Sequence, residues 1–295
     1  MRGLPVRDVT GGPGHGRGAM PVRGRIVAGY DGSAGSAAAL RLAAAEAAAS
    51  GGLLHVVHAQ LRRSAYALLL PPGAVGAAAE EAERLVEAAR ARLRQDYPDL
   101  RVRPAVVAGG PGSALVRAAR GAALLVVGRT GPGPGGVAAH VMAGAACPVT
   151  VVGGEAAPPW NSGGRPVVLG FDAAALSPSV PFAFAAARLR GTGLRVCHVR
   201  CPGDDPWGRD ADARREVSEA LAGWRAAHPD VPVAVDVLTG VDPAARLLDA
   251  AADAVLVVLG GGGAGRTGRI ADVVTRNAAC PVTVVRAAGR LAVVG

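Results

Sequence analysis

The sequence predicts the α/β class: two doubly wound open sheets of parallel strands, duplicated in tandem. Three observations carry this. The octapeptide Ala-Ala-Cys-Pro-Val-Thr-Val-Val stands at 145–152 and returns at 278–285, and self-similarity of this kind marks repeated units. Other landmarks recur in the same order: Ile26–Asp31 is echoed by Val167–Asp172, Leu54–His58 by Leu194–His198, and Leu124–Gly128 by Leu256–Gly260. Finally, short apolar runs, the mark of strands buried on both faces, alternate with helical patterns, as βα units require.

Taken in order, the first half predicts strands at Ile26–Tyr30, Leu53–His58, Val102–Ala108, Leu124–Gly128 and Val149–Val152. Between them lie helices at Ser36–Ser50, Glu80–Tyr97, Ser113–Arg120 and Val137–Ala145. The second half repeats the series, with strands at Val167–Phe171, Leu194–Val199, Val233–Leu238, Val255–Leu259 and Val282–Arg286. Its helices are expected at Pro181–Arg190, Ala211–His228, Pro243–Ala251 and Ile270–Ala278. Helical crossovers between parallel strands wind the sheet from both sides. Composition sets the boundaries. Residues 1–22 are a Gly/Arg/Pro tail without periodicity, 23–154 the first domain, 155–164 a Pro/Gly linker, 165–288 the second domain, and 289–295 a short tail.

Half of the 295 residues are hydrophobic and only 3% are aromatic, so the cores must be built from Val, Leu and Ala. A formal charge of +9 raises nucleic acid as a partner. Every basic residue is Arg, however, and Arg is interleaved with acid along segments such as Glu80–Arg94. That is the pattern of a solvated helix face and argues against nucleic acid. No apolar run reaches the roughly 20 residues that cross a bilayer, and no secretory signal opens the chain, so no membrane association and a cytoplasmic location are expected. The four cysteines have no metal or disulfide spacing, which leaves buried free thiols.

Tyr30-Asp31-Gly32-Ser33 after the first strand, and Ala-Cys-Pro-Val-Thr-Val-Val at the end of both halves, resemble the universal stress protein family. Val241–Leu248 leading into Ala252–Gly260 resembles it as well, and the likeness runs from residue 23 to 288. It implies an adenine-nucleotide α-hydrolase-like fold in a tandem two-domain member. ATP-binding members resemble G-x2-G-x9-G-[S/T] after the fourth strand, with an Asp after the first strand reaching the adenosine. Such glycines let backbone N–H groups approach phosphates, and the closing residues open a helix whose N-terminus favours an anion. Carried over, the pattern implies Asp31, Gly128, Gly131, Gly135 and Gly136 in the first half, and Asp172, Gly260, Gly263, Gly268 and Arg269 in the second. Both loops are shortened. Pro132 and Pro134 lack N–H groups, and Gly136 and Arg269 stand where Ser or Thr is expected. Arg269 could still pair with a phosphate.

Rival readings fail on the residues. A P-loop needs a Lys, which the chain lacks, and the glycines at 261–268 follow the fourth strand rather than the first. Ser33 has no base for a catalytic triad. His58 and His198 read as satisfied strand-end histidines. Asp31 and Asp172 also suit a helix cap or turn. The expected function is a non-enzymatic stress-response or regulatory protein with degenerate or lost ATP loops. The alternative is a pure interaction scaffold without nucleotide. Expected associations are an unnamed protein partner, pairing of the two domains through Val149–Val152 and Val282–Val285, and a homodimer.

Overall fold

The computed structural model describes residues 24–60, 74–129, 136–153, 163–172, 178–200, 210–261 and 268–286. The first half comprises β1 (Arg25–Gly29), α1 (Ala34–Ser50), β2 (Leu53–Gln60), α2 (Ala74–Asp96), β3 (Arg101–Ala108), α3 (Pro111–Ala118), β4 (Leu124–Gly128), α4 (Val137–Gly144) and β5 (Val149–Val152). The second comprises β6 (Val167–Gly170), α5 (Ser179–Arg190), β7 (Leu194–Arg200), α6 (Asp210–Ala227), β8 (Val233–Thr239), α7 (Pro243–Ala250), β9 (Leu256–Gly260), α8 (Arg269–Asn277) and β10 (Val282–Val285). Most boundaries fall within two residues of the sequence expectation. Helix α2 starts six residues early, because the uncharged Ala-rich stretch after Pro71, Pro72 and Gly73 propagates as helix although it carries no amphipathic signal.

The strands form one ten-stranded sheet in the order β3-β2-β1-β4-β5-β10-β9-β6-β7-β8. Pairing is parallel within each half, and the halves meet through an antiparallel seam in which Thr150 faces Thr283 and Val151 faces Val282. Strand alternation sends Ile26, Leu54 and Val126 into one apolar layer with α1, α2, α5 and α6. Val27, Val57 and Leu125 enter the opposite layer with α3, α4, α7 and α8. Both layers continue across the seam, which binds the two sheets into one core.

Polar contacts fix the seam on both faces. On the α1/α5 side the hydroxyls of Thr150 and Thr283 lie 2.7 Å apart, fully enclosed. Glu46 on α1 and Arg190 on α5 form an ion pair at 2.5 Å, their side chains only 5% and 3% exposed. On the α4/α8 side, Arg129 donates from Nη1 to the carbonyls of Arg276 (2.6 Å), Thr275 (3.3 Å) and Ala278 (3.4 Å) at the end of α8. Arg286 returns the contact, donating to Ala143 and Met142 at the end of α4. A cation at a helix C-terminus satisfies orphan carbonyls and complements the dipole.

These two arginines are not equivalents of one another. The counterpart of Arg129 is Gly261, since both follow the fourth strand and donate N–H to the end of the fifth. The counterpart of Arg286 is Gly153. A Cβ on Gly153 would lie 2.6 Å from Cζ of Arg129, and one on Gly261 would lie 2.4 Å from Cγ of Arg286. Each half has room for one arginine, and the two halves place it on opposite arms.

Candidate functional site

In the first half the chain winds from β1 to β2 on one side and reaches β4 on the other. The carboxyl ends of β1 and β4 therefore form a switch point, where open α/β sheets hold ligands. A cavity of about 100 Å³ opens there. Its apolar walls include Val57, Leu115, Val127 and Val137, its rim carries Tyr30, Asp31 and Ser33, and Gly128 forms part of its floor. Glycine is required at 128 because a Cβ would sit 2.5 Å from the backbone carbon of Gly35. Its absence lets the first turn of α1 rest on β4.

That first turn is built from Asp31, Ser33 and Ser36. The Ser33 side chain caps α1, accepting from the Ser36 N–H at 3.2 Å. Asp31 Oδ1 accepts from the N–H of Ser33 at 3.0 Å and from its hydroxyl at 2.6 Å. Partial burial favours the protonated acid, but hydrogen bonds from the Ser33 and Ser36 side chains and the Ser33 backbone outweigh it. The carboxyl is held below its ordinary range and stays anionic at neutral pH. Asp31 is thus a turn residue and Ser33 is the cap.

His58 and His198 occupy matched places. The Nδ1 of His58 faces the carbonyl of Tyr30 at 2.9 Å, and that of His198 faces the carbonyl of Phe171 at 3.1 Å. A carbonyl only accepts, so Nδ1 carries the proton in both. These histidines pin the strand end from which each aspartate projects.

The corresponding place in the second half is more crowded. Leu259 replaces Val127 beside the last residue of the first strand, and a Cβ on Gly170 would meet its Cδ2 at 2.5 Å. In the first half the nearest atom to such a Cβ on Gly29 is Leu115 Cδ1, at 2.9 Å. Phe171 replaces Tyr30 and is buried, while Asp172 is exposed and enters a segment outside the described residues. Helix α5 starts from Pro178, which offers no side-chain cap.

The glycine loops are described at their ends only. Gly131, Gly135 and Gly263 lie outside the described residues. Gly128 and Gly260 end β4 and β9, while Gly136 and Gly268 cap α4 and α8 without a side-chain hydrogen bond. Helix α8 has nine residues to the eight of α4, so Arg269 opens its helix at the place where Gly136 caps α4, and Ile270 is the counterpart of Val137. Val137 lines the cavity while Gly136 stands beside it as the cap. The wall residues Val57, Leu115 and Val127 were not singled out from the sequence. They come from three separate elements, and nothing in an apolar run tells which member will face a cavity.

Buried thiols complete the picture. Burial pushes Cys147 and Cys280 up to about 11 and Cys197 up to about 12, which removes them from thiolate chemistry.

Comparison with known proteins agrees with the geometry. The chain matches the model of the universal stress protein family twice, at residues 23–153 and 165–286. A universal stress protein of Mycobacterium tuberculosis is 30% identical over 285 residues, covering 88% of this chain and 96% of that protein. The crystal structure of a universal stress protein from Archaeoglobus fulgidus superposes with a TM-score of 0.72 at 17% identity, over 90% of this chain and 97% of that one. The cytoplasmic domain of a prokaryotic cation chloride cotransporter shares the fold more distantly, at a TM-score of 0.52 and 10% identity, covering 91% of this chain and 96% of that one; fold alone therefore does not fix a role. Two family matches in one chain, each spanning five parallel strands with the Asp-Gly-Ser turn or its remnant after the first, have one meaning: this chain is a tandem member of the universal stress protein family.

Proposed function

We propose that the chain is a non-enzymatic regulatory protein of the universal stress type, with one residual adenine-nucleotide site in its first half and none in its second. The cavity at the carboxyl ends of β1 and β4 carries this reading. Its anionic Asp31 suits a ribose hydroxyl, which donates, and the walls Val57, Leu115 and Val127 suit the flat apolar faces of a base. The phosphate side is poorer. The segment after β4 carries Pro132 and Pro134, which offer no N–H, and the cap of α4 is Gly136, so among the described residues backbone N–H groups at a helix start are what can receive a phosphate. Affinity for the nucleoside end should therefore exceed the contribution of the phosphates. Occupancy would bear on Gly128 in the cavity lining, and through it on the adjoining Arg129, whose guanidinium sits on the second half. Ligand binding would in that way shift the population of seam arrangements.

The test is thermal denaturation with adenosine, AMP and ATP, together with chromatography of small molecules released from the purified, denatured protein. At a hundred-fold excess over its Kd, a ligand adds about 2.7 kcal/mol of stability. Asp31→Ala should remove that gain for all three. If none of the three stabilises the protein and nothing is released, the nucleotide reading fails. The scaffold reading would then stand, favoured by Gly136 and Arg269 at the helix starts where a hydroxyl is expected.

A further inference from the structure

We propose that the amino-terminal end of the sheet face in the first half is a docking surface for an acidic, extended segment of another protein. Arg25 on β1, His55 on β2, and Arg101 and Arg103 on β3 lie on one face of the sheet, since β1 pairs Arg25 with Leu53 and Val27 with His55, while β3 pairs Arg101 with Leu53 and Arg103 with His55. Arg120, just beyond α3, joins them through its carbonyl, which accepts from Arg25 Nη2. Arg101, Arg103 and Arg120 are exposed. None of these arginines forms an ion pair among the described residues, and Asp99, the nearest carboxylate in sequence, is exposed and pairs with none of them. Arg25 Nε and His55 Nδ1 are both enclosed without a hydrogen-bond partner among the described residues. Two strand spacings separate β1 from β3, roughly 10 Å, and alternate residues are about 7 Å apart. The cations thus lie within about one Debye length at physiological salt, so their fields add. His55 feels them: burial first, and then the charges of Arg25 and Arg103, lower its pKa.

The second half is a built-in control. At the equivalent face Arg195 takes the place of His55 and is neutralised by Asp253 at 2.9 Å and Asp236 at 3.8 Å. Matching strand registers puts Ala105 where the second half has Asp236, and matching α3 to α7 puts Gly121 where it has Asp253. Ala234 and Pro232 stand where the first half has Arg103 and Arg101. One fold thus presents this face twice, once balanced and once with the guanidinium groups of Arg25, Arg101 and Arg103 and, among the described residues, no acid.

The chemistry of the occupant follows. Residues preceding β1 carry Arg2, Arg7, Arg17 and Arg23 against a single Asp8, so the chain's own tail repels the surface. No aromatic side chain lies on this face among the described residues, which leaves bases without a stacking platform. Strand β3 is the outermost strand of the sheet and pairs only with β2 among the described residues, so an extended chain can follow it. Carboxylates along such a chain would meet the arginines in bidentate pairs.

The experiment is fluorescence anisotropy with a labelled ten-residue glutamate-rich peptide and a single-stranded oligonucleotide of equal charge, on the full chain at about 50 mM and about 200 mM salt. The peptide should bind more tightly than the oligonucleotide and weaken several-fold at the higher salt. The double variant R101E/R103E should weaken it at least about tenfold. Arg120→Glu, which lies outside the sheet, gives an independent check, and circular dichroism confirms that both variants fold. Equal peptide affinity in wild type and both variants overturns the proposal. An oligonucleotide that binds as tightly as the peptide overturns it too, in favour of nucleic acid.

Discussion

The exchange of arginine and glycine between the two arms of each half makes a prediction that an isolated contact would not. In R129G the end of α8 loses its cation. The shortest lost bond runs 2.6 Å to the carbonyl of Arg276, with two longer ones to Thr275 and Ala278. A charge-assisted hydrogen bond is worth about 1.5–3 kcal/mol, and a cation at a helix C-terminus about 0.3–1 kcal/mol of overlapping electrostatics. A loss of about 2 kcal/mol is expected, which lowers Tm by about 4–8 °C for a chain of this size. Introducing G153R alone should also destabilise, because its Cβ would lie 2.6 Å from the Arg129 guanidinium carbon. The double variant R129G/G153R transplants the arrangement of the second half into the first and should recover more than half of the loss. Neither Gly153 nor Gly261 has left-handed backbone, so an arginine at 153 carries no conformational penalty. Calorimetry on the four proteins measures the cycle. If the double variant is no more stable than R129G, or if G153R alone is harmless, the arms are not interchangeable and the reasoning fails.

Three further outcomes are expected. Glu46→Gln removes the buried carboxylate that pairs with Arg190 and should cost about 3–5 kcal/mol, read as a lower urea midpoint. The lowered pKa of Asp31 stabilises the fold above the ordinary carboxylate value of about 3.9, and this contribution is lost as pH falls through the lowered value. The gap in urea midpoint between wild type and D31N should therefore stay constant from about pH 7 to 5 and close below about pH 4; a gap independent of pH would contradict it. Cys147, Cys197 and Cys280 should resist a thiol reagent at pH 8 in the native protein and react fully once urea unfolds it; rapid native labelling of any of the three would show that its burial is misjudged.

The fold was largely legible because the same apolar runs occur twice. Leu124–Gly128 and Leu256–Gly260 name each other as strands, and the shared octapeptide sets the register between halves. The start of α2 was missed because alanine alone gives no periodicity. The site was legible at Asp31 and Gly128, where turn chemistry leaves a mark in the letters. Its walls were not, since Val57, Leu115 and Val127 look like any other core residues until the strands are side by side. The arginine arms were hidden for a different reason. Aligning the halves sets Arg129 against Gly261 and Gly153 against Arg286, which reads as unrelated drift until both arms are seen to fill one space.

The seam strands have a consequence for assembly during synthesis and refolding. Both β5 and β10 close their own half, so each half can finish its private sheet before its last edge meets another. That edge is nearly the same sequence in both halves, and two chains folding side by side offer each other surfaces almost indistinguishable from their own. Crowded refolding should therefore yield molecules that have traded halves, held by the same valines and threonines that join a lone chain. Dilution, by favouring the tethered neighbour, restores the monomer.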